Sequence, residues 1–149
     1  MKRRDEALSM KRIAEIRALQ LVAAQGAAVS ASKLLSGIEG ERDSEALTLG
    51  AEQRSWAEAV GGGSFSPELA TAWAAAIVRR EEGIRGLDDR IGAAASHSDT
   101  CKAEWRSADL KARAAEEKAR RAGKQAARLR EESALGELAD RLAGKDKAR

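Results

Sequence analysis

Large apolar side chains are scarce in this chain. Leu, Ile, Val and Phe together number 25 of 149 residues, too few for a thick multi-layer core. Aromatics are scarcer still: Trp56, Trp73, Trp105 and Phe65, with no Tyr. A β-sandwich or barrel draws its strands from β-branched and aromatic residues, so that class is excluded. No unbroken run of 18 apolar residues occurs, and none is expected to span a membrane. Cys101 is the single cysteine, so no internal disulfide can form, which fits a reducing compartment. The basic start Met1-Lys2-Arg3-Arg4 is followed by Asp5 and Glu6 rather than by an apolar stretch, unlike a secretory signal.

What is abundant points to helix. Ala, Leu, Glu, Lys and Arg supply 90 residues, above the share of about half that marks long helices and coiled coils. The one strong punctuation is Gly61-Gly62-Gly63-Ser64-Phe65-Ser66-Pro67. Three glycines cost too much backbone entropy for a helix to continue. Ser66 then caps a new helix, Pro67 takes its first position and Glu68 suits its positive end. Two helices follow, roughly 4–60 and 67–143, joined by a turn at 61–66 and ending in a frayed tail.

From Ala70 a 3-4 spacing runs through Trp73, Ile77, Arg80, Ile84, Leu87 and Ile91 to Gly136, with sixteen apolar residues at twenty positions. Such persistence is a coiled-coil seam. In the first helix the stripe Ile13, Ile16, Ala24, Ala27, Ala31, Leu35, Ile38, Ala46, Leu49, Trp56, Val60 runs closer to an 11-residue period. Near-straight helices would reconcile the two. Folding at the break sets Trp56 against Trp73 and residue i against roughly 129 − i. The Ala-rich seam after Ala108 then meets Ile13, Ile16 and Leu21. The fold expected is all-α: a single two-helix antiparallel coiled-coil hairpin with the second helix overhanging.

Charge is segregated although the net is only +3. Both ends of the chain are basic and the middle is acidic, so a hairpin joins two basic segments at its open end. Arg3, Arg4, Lys11, Arg12, Arg120, Arg121, Lys124 and Arg128 are the candidate partner-binding residues there. Trp56, Phe65 and Trp73 would shape a second contact at the tip, or clamp it. The carboxylate pairs Glu81-Glu82, Asp88-Asp89, Glu116-Glu117 and Glu131-Glu132 read as intrahelical ion pairing. His97 and Cys101 fall two ligands short of a metal site. Neither catalytic residues nor a cofactor site is expected, and a small-molecule substrate has no concave pocket to enter. Nucleic acid fits poorly, because acidic residues and few aromatics share the basic segments.

Across the whole chain, the pattern resembles the FliJ family of flagellar export proteins and its YscO-like relatives in type III secretion. It is carried by a basic N-terminus (Lys2-Arg3-Arg4 through Lys11-Arg12-Ile13), a first helix, a short break, and a longer second helix with a basic C-terminus. The resemblance implies a cytoplasmic stalk associated peripherally with the inner membrane at the flagellar base. Its partners would be the export ATPase hexamer, the cytoplasmic domain of the export gate and export chaperones. The residues named above are picked by charge and position. A homodimeric coiled-coil scaffold, or a basic nucleic-acid-binding coiled coil, stand as alternative readings.

Overall fold

The computed structural model describes residues 2–147 and consists of two helices, α1 over Lys2–Gly61 and α2 over Pro67–Lys147, with no strand among the described residues. The expected all-α antiparallel hairpin is what the chain forms. Both helices run slightly beyond the expected bounds, and α2 stays helical to Lys147 rather than fraying after residue 143. Contacts cluster into two compact units, one containing the turn (Gln25–Ala103) and one made from the chain up to Ala24 and from Glu104 onward.

The turn forms where the glycines are. The Gly62 amide still donates to the Glu58 carbonyl at 2.9 Å, and a Cβ on Gly62 would lie 2.7 Å from that oxygen. Only glycine closes this last turn without moving backbone. At the start of α2 the Ser66 hydroxyl accepts from the Leu69 amide at 3.4 Å and the Ser66 carbonyl from the Ala70 amide at 3.0 Å. Ser66 is the N-cap and Pro67 the first helical residue, as the sequence predicts.

In the turn-bearing unit the α2 face turned inward is Ala70, Trp73, Ile77, Arg80, Ile84, Leu87, Ile91, Ala94, Ser98 and Cys101, in the register read from the sequence. The α1 face differs from expectation. Its covered positions include Ala28, Ala31, Leu35, Ile38, Arg42, Glu45, Leu49 and Glu52 in a 3-4 heptad rather than an 11-residue period. Both helices therefore share one supercoil sense. Of the expected stripe, Ala31, Leu35, Ile38, Ala46 and Leu49 are covered, whereas Ala27, Trp56 and Val60 are exposed. Ala28, Ala31 and Cys101 form a cluster of buried apolar side chains. The polar seam residues pair across the helices: Arg42 with Asp88 at 2.7 Å, Arg80 with Glu45 and Glu52 at 2.7 Å each, and Arg90 with Glu41 at 3.6 Å. The residue numbers of these partners sum to values near 129, the expected antiparallel register.

In the other unit α1 turns Ala7, Met10, Ala14, Arg17, Leu21 and Ala24 toward α2, whose covered residues are Ala108, Ala112, Ala115, Ala119, Ala122 and Ala126 at the 3-4 spacing, with Asp109 and Glu117 half-buried beside them. Ile13 and Ile16, expected on the seam, are 45 % and 54 % exposed. The thin alanine face of α2 thus meets three alanines and three longer side chains, Met10, Arg17 and the expected Leu21, and a groove is left beside it. After Ala126 every α2 residue to Lys147 is exposed, so the second helix does overhang.

One expectation about membranes is corrected. By length and composition alone, an 18-residue window of α1 is apolar enough to cross a bilayer, with a mean hydropathy of 1.3, and 17 % of it is buried. The reason is that residues 18–38 carry Lys33 as their one charged side chain, although polar Gln and Ser interrupt them.

Candidate functional site

The two units differ in charge. The unit holding both termini carries nineteen basic and twelve acidic side chains, a formal +7, and the turn-bearing unit carries eight basic and twelve acidic, a formal −4. The seam of the turn-bearing unit consumes some of that charge. In the turn-bearing unit, Arg80 donates through Nε and Nη2 to Glu52 Oε1 and through Nη1 to Glu45 Oε2. Those hydrogen bonds hold its guanidinium more strongly protonated than usual. Glu52 is 8 % exposed and its second carboxylate oxygen has no partner.

Among the terminal residues, Arg3, Arg4, Lys11, Arg12, Arg120, Arg121, Lys124 and Arg128 are all exposed. Arg3 and Arg4 share a recess of about 320 Å³ with Ala126, Leu129, Arg130 and Ser133. Lys11 and Arg120 border a groove of about 680 Å³ floored by Ala14, Ala18, Leu21, Ala112 and Ala119. The structure adds Arg130 and Arg113 to the basic residues picked from sequence. It also adds Glu15, Asp109 and Glu116 on the groove rim, so that rim is mixed in sign.

Two of the eight cations are engaged within their own helix. Glu117 accepts from Arg120 Nε and Nη2 at 3.0 and 2.8 Å and from Arg121 Nε at 2.8 Å. These hydrogen bonds, with the two positive charges, lower its carboxyl pKa to about 2. The pairing at i+3 and i+4 is the intrahelical kind expected from the carboxylate pairs. Asp109–Arg113 at 3.1 Å is another. Among the described residues Glu117 is the one member of those four carboxylate pairs held in an intrahelical ion pair, and Asp88 reaches across to Arg42 instead.

At the turn, Trp56 and Phe65 are exposed and Trp73 is half-buried. Trp56 keeps the heptad position that follows Glu52 but is 40 % exposed there. Val60 and Leu69 are exposed beside them in the chain, which extends the apolar character of the tip. Trp105, on the α2 seam, is 36 % exposed. His97 Nε2 lies 3.7 Å from the buried Cys101 sulfur. Among the described residues no group of three or more His, Cys, Asp or Glu side chains could hold a metal.

No family model, curated protein or solved structure matches this chain.

Proposed function

We propose that this protein is a non-enzymatic stalk of a flagellar or type III protein export apparatus. Its terminus-bearing, basic unit enters the ring of the export ATPase, and its turn-bearing, acidic unit meets the export gate and export chaperones. The observation that supports this most is the division of charge between the two units of one helical hairpin, +7 against −4. Two chemically distinct ends suit a bridge between two partners, because each end is steered to a surface of opposite sign. Exposed Trp56 and Phe65 supply anchors of the kind interfaces favour. The mechanism would be conformational: a hairpin that binds some nucleotide states of the ring better than others shifts their populations.

The test is to titrate the source organism's flagellar export ATPase with this protein at low salt and follow hydrolysis. A saturable change near stoichiometric ratio, weakened by Lys124→Glu with Arg128→Glu and by added salt, is the expected result. A flat titration with an active, hexamer-competent ATPase overturns the reading.

A further inference from the structure

The overhang of α2 carries a stripe that the α1–α2 seam does not use. Leu135, Leu138 and Leu142 follow a 3-4 spacing and are 66 %, 53 % and 57 % exposed. The intramolecular seam, carried onward from Ala126, would instead run through Leu129, Ser133 and Gly136. The leucines therefore lie on a different face of the helix. Extending their own spacing in both directions reaches Glu131 on one side and Lys145 on the other. The stripe is thus three leucines closed by one acid and one base, with opposite signs at its two ends.

That order is self-complementary when reversed. We propose that the exposed tail stripe pairs with the same stripe of a second copy of this chain, antiparallel, about a two-fold axis at Leu138. Leu138 then meets its own counterpart, and Leu135 meets Leu142 of the second copy. Glu131 meets Lys145 at each end. A contact on a two-fold axis must be complementary to itself, and this segment is so in both apolar pattern and charge. A parallel pairing would set Glu131 against Glu131 and Lys145 against Lys145, two repulsive layers. Ala134 and Ala139 lie beside the leucines, small enough to let two helices approach. The one like-charge edge contact, Glu132 against Asp146, lies at the solvent boundary where screening weakens it. The pairing does not depend on the export reading, which concerns charge rather than this stripe.

Sedimentation of the full chain over a wide concentration range tests it. A monomer–dimer equilibrium is expected, and Leu138→Glu should raise its dissociation constant at least tenfold. Helix content should be unchanged, since Leu138 is exposed in the single chain. Glu131→Lys and Lys145→Glu should each weaken the dimer, and the double variant should restore it. Orientation is read by oxidative cross-linking on a Cys101→Ala background. Leu138→Cys should link to itself, and Leu135→Cys should link to Leu142→Cys in a mixture. A chain that stays monomeric overturns the proposal. So does a dimer indifferent to Leu138→Glu, or efficient self-linking of Leu135→Cys, whose two copies would sit about 10 Å apart along the axis in the antiparallel pair.

Discussion

Arg80 of α2 and Glu52 of α1 meet across the seam at 2.7 Å, at positions where a coiled coil ordinarily places aliphatic residues. The Glu52 side chain is almost fully covered, and Arg80 also holds Glu45, one heptad away, at 2.7 Å. Removing one member of a buried pair costs more than removing both, because the survivor keeps its desolvation cost without a partner. Arg80→Leu should therefore lower the melting temperature by more than ~5 °C. Adding Glu52→Leu should recover most of that loss. Thermal unfolding followed by circular dichroism of the two variants decides it, and a double variant no better than the single would refute the pairing.

Glu117 should titrate unlike its neighbours. Its carboxyl pKa is lowered to about 2 by the hydrogen bonds from Arg120 and Arg121. A carboxyl depressed on folding stabilises the folded state above the usual carboxylate range, and that contribution is lost as pH falls toward 2. Side-chain carboxyl NMR of the wild type should show Glu117 still ionised at pH 3. In an Arg120→Ala, Arg121→Ala variant its titration should return to the ordinary range. High salt should move it the same way, by less.

Gly62→Ala should strain the turn. Its Cβ would sit 2.7 Å from the Glu58 carbonyl oxygen, a backbone atom that yields only if the end of α1 moves. A loss of about 1 kcal/mol or more is expected. Gly61→Ala and Gly63→Ala meet nothing within 4 Å and serve as controls. Urea unfolding of the three variants compares them, and equal effects would mean the close approach is not what matters.

Ser98 is 1 % exposed, and its hydroxyl has no hydrogen-bond partner. A buried hydroxyl without a partner carries an uncompensated desolvation cost. Ser98→Ala should leave stability unchanged or raise it by up to about 1 kcal/mol. Ala31→Leu, in the same tightly packed unit, should lower it by overpacking. Chemical denaturation of both variants gives the two signs.

Hydropathy located both helices but misread the inward face of α1. α2 was legible because Trp73, Ile77, Ile84, Leu87 and Ile91 repeat at 3-4 spacing and Pro67 marks its start. The seam face of α1 was not, because Arg17, Arg42, Glu45 and Glu52 occupy covered positions while Ile13, Ile16, Leu19 and Val22 face outward. A stripe chosen for apolar residues alone had to wander between two faces, and the wandering registered as an 11-residue period. The cross-helix partners Asp88 and Arg80 would have signalled the correct face only once the pairing was known. For the candidate surfaces, counting charges sufficed to divide the chain into basic and acidic parts. Which cations are engaged by Glu117, and that the tail leucines form a face of their own, required the helices to be placed.

The two units also differ in what each heptad contributes. Around the turn, layers contain Ile38, Ile84, Trp73 and cross-helix ion pairs, whereas toward the termini α2 offers alanine alone from Ala108 to Ala126. Each alanine layer buries little, so pairing there stands near the threshold at which two helices separate. The shortest loop the chain can close is the one at Gly61–Pro67. Folding should then nucleate beside the turn and zip outward, and opening should start at the termini. Amide protons should exchange in that order, fastest along the alanine layers and slowest near Ile38 and Ile84. The end of the molecule richest in positive charge is thus also the one that parts most readily.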